Sequence, residues 1–153
     1  DIAGPYAGRG NEDAWGGKLA GLLDRIMAAE FSVIPAAWDR ACARAYPGHV
    51  SAHGPAAADQ FWLGLRSAFP SAEFRVAHQI GREDPMMPPR AAVRWSLHGK
   101  HDGWGVFGAP TGAEVYVMGI THAEFGPRGL RREFTLIDET AIWKQILLAT
   151  GDI

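Results

Sequence analysis

The sequence predicts an α+β fold, with about three N-terminal helices on the concave face of a curved antiparallel sheet. Apolar residues recur at helical spacing up to Pro70, and beyond Ser71 they alternate with a period of two. Helices that are segregated from strands along a chain tend to cover one face of an antiparallel sheet. The 153 residues suffice for one domain, which we place at residues 11–153.

Residues 1–10 precede this domain, and their glycine and proline content predicts a segment that lies loosely on the surface. The first helix follows this segment. Asn11 is expected to cap it, because an asparagine side chain accepts hydrogen bonds from the backbone of a first helical turn. The apolar stripe of the helix extends from Trp15 to Ile26.

A second helix is predicted from about Ser32. The side chains of Trp38, Cys42 and Ala45 fall on one face at helical spacing. The string YPGHVSAHGP at residues 46–55 ends this helix, because glycine and proline interrupt helical structure.

Two further helices frame the predicted strands. The earlier one begins at Pro55, since proline is favoured in a first helical turn, and Phe61 and Leu65 belong to its apolar stripe. The later one closes the chain at residues 140–151. Gly151 is expected at its end, where glycine adopts the backbone conformation that terminates a helix.

Four strands are predicted between these two helices, at residues 73–80, 91–99, 114–125 and 130–138. The first strand shows the alternation most clearly, with Phe74, Val76, His78 and Ile80 on one face. The short turn at residues 126–129 predicts that the last two strands pair as an antiparallel hairpin. A curved sheet that helices cover on one side commonly leaves a ligand pocket between the two layers.

The bulk composition argues against several classes of function. The net charge is −2 and basic residues form no long run, so nucleic-acid binding has little electrostatic support. No apolar run approaches the ~20 residues that span a bilayer, so no membrane partner is expected. Cys42 is the only cysteine, which excludes an internal disulfide and predicts a cytoplasmic location.

The string AVRWSLHGKHDG, followed by FGAPTG, carries a family resemblance. Gly99, His101 and Gly103 form a G-x-H-x-G turn, and residues 110–112 form a Pro-Thr-Gly return to the next strand. With GITHAEF and LRREFTLIDE further along, these strings resemble the SnoaL-like polyketide cyclases of the nuclear transport factor 2-like superfamily. The resemblance covers about residues 12–150 and implies a cone-shaped α+β fold. His101 is expected to order the turn by bonding backbone groups.

The chain departs from this family on its last strand. Family members often carry an E-W-D string whose aspartate serves as general base, whereas this chain has Glu133, Phe134 and Thr135. A threonine hydroxyl is no base near neutral pH. Glu133 shares the face of Thr135 on the strand and could replace the aspartate. Alternatively, Glu133 is a partly solvated charge paired with Arg131 or Lys144.

The remaining predicted site residues follow from the chemistry that the resemblance implies. Proton abstraction next to a carbonyl needs a base, a hydrogen-bond donor and a site that excludes water, but neither a metal nor a cofactor. Glu133 is the predicted base, with His53 or His98 as the donor. His53 could instead anchor a loop, and alternation alone does not settle which face of the sheet His98 occupies. The predicted substrate-binding residues are Trp38, Trp95, Thr121 and Thr135.

Two functions remain open from the sequence. One is a cofactor-free acid/base enzyme, similar to a polyketide cyclase or isomerase, with an apolar pocket for a small cyclic or polyketide-like substrate. The other is a non-catalytic domain that binds a small molecule or another protein, because Thr135 stands where the family often has its aspartate. A fold shared with enzymes does not by itself establish chemistry.

The resemblance also implies a homodimer that is formed through the outer face of the sheet. Apolar residues on alternating positions of two predicted strands would supply this surface. They are Tyr116, Met118, Ile120, Phe134 and Leu136.

Overall fold

The computed structural model describes residues 8–46, 50–53 and 55–152 and confirms the α+β class. Four helices and six strands lie within these ranges. In chain order they are α1 (Ala14–Met27), α2 (Val33–Ala37), β1 (Trp38–Tyr46), β2 (Val50–His53), α3 (Pro55–Ala68), β3 (Glu73–Arg82), β4 (Arg90–Lys100), β5 (Glu114–Gly126), β6 (Gly129–Ile137) and α4 (Glu139–Thr150).

The strands form one open, curved sheet in the order β2-β1-β6-β5-β4-β3. The hairpin of β5 and β6 is antiparallel, as predicted, and so are the pairs β4–β5, β3–β4 and β1–β2. The pair of β1 and β6 is parallel. The sheet is therefore mixed, and the prediction of a wholly antiparallel sheet is corrected at this pair.

The predicted second helix is mostly a strand. Its helical part, α2, ends at Ala37, and the chain then continues as β1. The buried side chains near the end of β1 are Cys42, Arg44 and Tyr46, which alternate with a period of two. Arg44 hid this alternation in the sequence, because a charged residue is rarely expected on a buried face.

The cap of α1 also differs from the prediction. Asp13, not Asn11, is the N-cap residue, and its carboxylate accepts a hydrogen bond from the backbone N–H of Trp15 at 2.9 Å. The Asn11 side chain instead exchanges two hydrogen bonds of 3.1 Å with the backbone of Gly81. Asn11 thus fastens the start of the domain to β3, and the helix begins two residues later than expected.

The predicted loose segment at residues 1–10 lies partly outside the described residues, which begin at Gly8. Gly10 forms an isolated parallel bridge with Gln79 of β3. The Gln79 backbone N–H donates to the carbonyl oxygen of Arg9 at 2.9 Å. The end of this segment is therefore bonded to the sheet edge.

The closing helix α4 follows its sequence signals. Asp138 caps its start by accepting from the backbone N–H of Ala141, and Gly151 ends it with a left-handed φ of 79°. The Gln145 side chain bonds both the N–H and the carbonyl of Tyr116 in β5, at 2.8 and 3.0 Å. None of the helices within the described ranges is long and apolar enough to cross a membrane.

In the glycine-rich loop between β4 and β5, the imidazole of His101 contacts a side-chain hydroxyl, and the backbone of His101 bonds the returning chain. The His101 side chain is fully buried, and its Nδ1 lies 3.0 Å from the hydroxyl of Thr111. Its carbonyl accepts from the backbone N–H groups of Thr111 and Gly112, while its own N–H donates to Ala113. Burial lowers the pKa of His101, which favours the neutral imidazole.

The main hydrophobic core lies between the helices and one face of the sheet, which we call the inner face. Leu19, Leu23 and Ile26 of α1 and Trp62 and Leu65 of α3 are buried there. On the opposite, outer face, large apolar side chains are exposed, and they include the five residues of the predicted dimer surface. The inner face is consequently where a site shielded from water can be built.

Gly119 of β5 is required by the packing of this inner face. It pairs with Trp95 of β4, and a Cβ added at Gly119 would overlap the Trp95 indole ring. We expect Gly119→Ala to lower the free energy of unfolding by about 1–3 kcal/mol, because overpacking forces the indole out of place. Urea denaturation followed by tryptophan fluorescence measures this loss.

Gly21→Ala is the matched control for the same change. Gly21 lies on the exposed side of α1 with open space around it. An alanine there is expected to raise the free energy of unfolding by about 0.5–1 kcal/mol, because it favours helix. Equal effects of the two substitutions would contradict the placement of the Trp95 ring over Gly119.

Candidate functional site

A row of polar side chains crosses the otherwise apolar inner face of the sheet. Thr121 of β5 and both Glu133 and Thr135 of β6 are fully buried, with no exposed surface. Trp38 of β1 and Trp95 of β4 are buried beside them, at 2% and 1% exposure. We call these five residues the polar network. Buried polar groups of this kind require hydrogen-bond partners, and each member finds one within the network.

Glu133 accepts hydrogen bonds on both carboxylate oxygens. The indole Nε1 of Trp38 donates to Oε1 at 2.8 Å, and the hydroxyl of Thr135 donates to Oε2 at 2.9 Å. The alternative of a partly solvated charge is wrong, because the side chain is fully buried. Arg131, one of the two partners considered for that charge, forms an ion pair with Glu124 instead, with 3.1 Å between Nε and Oε2.

The network continues from Glu133 across two more strands. The hydroxyls of Thr121 and Thr135 are 3.1 Å apart, and Trp95 Nε1 donates to Thr121 Oγ1 at 3.1 Å. With Glu133 ionised, the Thr135 proton points to the carboxylate, so Thr121 must be the donor to Thr135. All these hydrogen bonds then point toward Glu133, and they polarise one another in the same direction.

The strand pairing explains why these residues meet. Glu133 and Thr135 are two positions apart on β6 and so project to the same face. Thr121 is the direct cross-strand partner of Thr135, and such partners lie side by side. Gly119 leaves room for the Trp95 ring, whose Nε1 then reaches Thr121. The pairing register of the strands and the absence of a side chain at Gly119 bring these polar residues together.

The parallel strand β1 adds two residues that sequence reasoning missed. Arg44 is the register partner of Glu133, is 3% exposed, and has its guanidinium carbon 5.8 Å from the centre of the Trp38 ring. Tyr46 is 5% exposed and stacks on Phe61 with ring centres 4.5 Å apart. The signal that could have found both was the alternation Cys42, Arg44, Tyr46, interpreted with a period of two.

The environment of Glu133 changes its proton affinity. Burial raises the pKa of its carboxyl group above the ordinary value of 4.5, because the charged form loses its hydration. The hydrogen bonds from Thr135 and Trp38 and the positive charge of Arg44 lower the pKa in part, but the shift stays upward. Glu133 is therefore a stronger base than a glutamate on the surface.

The structure separates His98 from the network. His98 lies on β4 opposite Tyr116 of β5, and the two ring centres are 5.9 Å apart on the exposed outer face. Trp95 belongs to the other face of β4, three residues earlier. The structure therefore does not bring His98, one of the two predicted donors, to Glu133.

His53 can be placed only by its backbone. It belongs to β2, where it is paired with Ala43 of β1. Its side chain lies outside the described part of the structure. Of the seven predicted site residues, the structure thus assembles Glu133, Thr135, Thr121, Trp38 and Trp95.

The arrangement suits proton transfer better than metal binding. In the described ranges, no three residues of the types His, Cys, Asp or Glu come together as a possible metal site. The network instead holds one carboxylate among neutral donors, with Arg44 in its neighbourhood. Such a carboxylate can accept a proton and return it without a large movement of its neighbours.

Comparisons with known proteins agree with the fold and with the family resemblance. The sequence profile of the SnoaL-like polyketide cyclases matches residues 20–146. No curated protein sequence matches the chain significantly. Many solved structures share its fold.

Three of these structures illustrate the range of the likeness. IdmH from Streptomyces antibioticus, a candidate polyketide cyclase, is 14% identical, with a TM-score of 0.69 over 85% of this chain and 96% of its own. AclR from Streptomyces galilaeus, a candidate hydroxylase, is 19% identical, with a TM-score of 0.66 over 90% and 83%. A SnoaL-like polyketide cyclase from Agrobacterium tumefaciens is 17% identical, with a TM-score of 0.60 over 84% and 94%. At these identities the structures show the fold alone, but the profile covers most of the sequence: the chain belongs to the SnoaL-like polyketide cyclase family.

Proposed function

We propose that the protein is a cofactor-free acid/base enzyme that removes a proton from the carbon beside a carbonyl group. Its substrate is a small cyclic or polyketide-like molecule. The observation that carries this proposal is the buried Glu133 carboxylate, which two donors hold and whose pKa burial raises. A base with a raised pKa abstracts a carbon-bound proton more effectively than an ordinary carboxylate.

In the proposed reaction Glu133 takes the proton from the substrate carbon. The C–H electron pair becomes the C=C bond of an enolate, and the carbonyl π electrons move to the oxygen. The enolate carbon then attacks a second carbonyl carbon of the same molecule and forms a C–C bond. Protonated Glu133 returns its proton to the new alkoxide, so the enzyme ends as it began.

The other network residues act on Glu133 and not on the substrate in this proposal. Trp38 and Thr135 orient the carboxylate, and Thr121 and Trp95 fix Thr135 through its hydroxyl. The four were predicted as substrate-binding residues, and their bonds support a positioning role. His53 is a candidate donor in this proposal, because its strand β2 is the neighbour of β1. The substrate pocket itself is proposed to adjoin Glu133 on the side of the aromatic rings of α3.

A non-catalytic binding domain is the second candidate. The observation in its favour is that the polar network is complete without a ligand, because both Glu133 oxygens already accept hydrogen bonds. A fully bonded buried network can serve rigidity alone. Loss of the family aspartate, with Thr135 in its place, points the same way.

We further propose that the protein is a homodimer through the outer face of its sheet. Five large apolar residues there are 43–66% exposed, namely Tyr116, Met118, Ile120, Phe134 and Leu136. A contiguous apolar patch on a sheet face is typical of a subunit interface. A cytoplasmic location also belongs to this proposal, supported by the single cysteine.

The catalytic proposal predicts proton exchange on a simple ketone. 2-Tetralone, a flat bicyclic ketone, is incubated with the protein in deuterium oxide, and proton NMR measures the loss of its α-hydrogens above the background rate. Glu133→Gln is expected to lower the protein-dependent rate by roughly 10²-fold or more, since an amide is not a base. Glu114→Gln, at an exposed site on β5, is the matched control and is expected to keep the full rate.

The same assay decides between the two candidate functions. Protein-dependent exchange that Glu133→Gln removes supports the enzyme. Exchange that survives this substitution contradicts Glu133 as the base. If the wild type binds 2-tetralone but causes no exchange, the binding domain is the better description.

The dimer proposal predicts a mass of twice 16.5 kDa in solution at micromolar concentration. Leu136→Lys is expected to convert the protein to monomers, because a charge would be buried at the centre of the interface. Met86→Lys is the control, since Met86 is a fully exposed loop residue away from the sheet. Light scattering after size exclusion measures the mass, and a monomeric wild type would contradict the proposal.

A further inference from the structure

The hydroxyl group of Tyr46 lies close to the polar network but forms no well-formed hydrogen bond with it. Tyr46 is 5% exposed, and its buried oxygen has no well-formed hydrogen bond within the described ranges, although it lies near enough to Glu133 for weak hydrogen bonding to lower the pKa of that carboxyl group in part. Leaving a buried hydroxyl unbonded is costly, and native structures do so rarely. One explanation is that the hydroxyl bonds an acceptor atom of a ligand when a ligand is present.

The position of Tyr46 places this hydroxyl beside the proposed base. Arg44 and Ala45 of β1 are the register partners of Glu133 and Phe134 of β6. Tyr46 comes one residue later, on the same buried face as Arg44. The ring of Tyr46 is held by its stack on Phe61. The hydroxyl therefore reaches the inner face near Glu133 from a fixed ring.

The electrostatic influence of the two groups on each other agrees with this proximity. Burial and the negative charge of Glu133 raise the pKa of the Tyr46 hydroxyl, and Tyr46 lowers the pKa of Glu133 in part. Tyr46 therefore keeps its proton at neutral pH and can only act as a donor toward a ligand oxygen. Both Glu133 oxygens meanwhile have other donors, Trp38 and Thr135.

We propose that Tyr46 is a catalytic residue whose hydroxyl donates a hydrogen bond to the carbonyl oxygen of a ketone substrate, while Glu133 faces the adjoining carbon. This inference rests on the proposed acid/base function and assigns the donor that neither predicted histidine has been shown to supply. The ligand class is a neutral ketone that carries an α-hydrogen.

In this proposal Glu133 acts as the base and Tyr46 acts as the hydrogen-bond donor. When Glu133 removes the proton, negative charge develops on the substrate oxygen, and the hydrogen bond from Tyr46 strengthens as this charge grows. The Tyr46 proton is not transferred, because its raised pKa keeps it on the phenol oxygen. The aromatic neighbours of Tyr46, with Phe61 stacked on it and Trp62 edge-on to Phe61, supply apolar surface for a ring ketone.

Binding of two matched probes tests this assignment. 2-Tetralone has the carbonyl group, and tetralin is the same ring system without it. Quenching of tryptophan fluorescence measures the affinity of both probes for the wild type, Tyr46→Phe and Tyr116→Phe. Tyr116 lies on the outer face, within the proposed dimer surface, so its variant removes a phenol hydroxyl on the side of the sheet away from the site.

We expect the wild type and Tyr116→Phe to bind the ketone roughly fivefold more tightly than tetralin, as one net hydrogen bond implies. Tyr46→Phe is expected to bind both probes equally, with an unchanged affinity for tetralin. If Tyr46→Phe keeps the preference for the ketone, or if the wild type shows no preference or binds neither probe, the inference is overturned. The infrared carbonyl band of bound ketone is a second measurement. It should shift to higher frequency in Tyr46→Phe only.

The result for Glu133→Gln separates this inference from the proposed function. That variant is expected to lose α-hydrogen exchange but to keep the preference for the ketone, because its Tyr46 is intact. Exchange that persists in Glu133→Gln contradicts the base and leaves the donor standing. A ketone preference that persists in Tyr46→Phe contradicts the donor and leaves the base standing.

Discussion

The burial of one carboxylate beneath the helices is the constraint on which the site depends. Removing an ionised carboxyl group from water is expensive unless donors and an opposite charge replace its hydration. Glu133 receives these from Trp38, Thr135 and Arg44, which come from two neighbouring strands. The parallel pairing of β1 with β6 is what brings Arg44 level with Glu133. The polar network therefore depends on the parallel strand pair that makes the sheet mixed.

The burial of Glu133 also explains the hydrogen bonds of Thr135. The family resemblance implies an aspartate where this chain has Thr135, and the sequence alone therefore suggests lost chemistry. In the structure its hydroxyl donates to Glu133 and accepts from Thr121, so the threonine holds a carboxylate located two residues earlier. The carboxylate of Glu133 is buried on the same inner face as Thr135.

Most strands and part of the candidate site were predictable from the sequence. The missed features, β1 and its pairing, share a physical cause. The alternation in β3 to β6 and the turn at residues 126–129 are local signals, and they predicted the strands and the hairpin. Glu133, Thr135 and Thr121 followed from the family resemblance. The β1 strand was missed because Arg44 breaks its apolar alternation, and the parallel pairing joins segments too distant in sequence for a local pattern. The hydrogen bond that Trp38 donates to Glu133 depends on that pairing.

The raised proton affinity of Glu133 also couples the site to stability. The folded protein binds this proton more tightly than the unfolded chain, so the resulting stabilisation is complete below the ordinary glutamate pKa and is lost as pH rises through the raised one. The most direct measurement is a carbon-13 NMR titration of the glutamate carboxyl carbons, with Glu133 assigned by the signal that Glu133→Gln removes. A midpoint above 4.5 is expected. A midpoint at or below 4.5 would contradict the description of Glu133 as a buried, strengthened base.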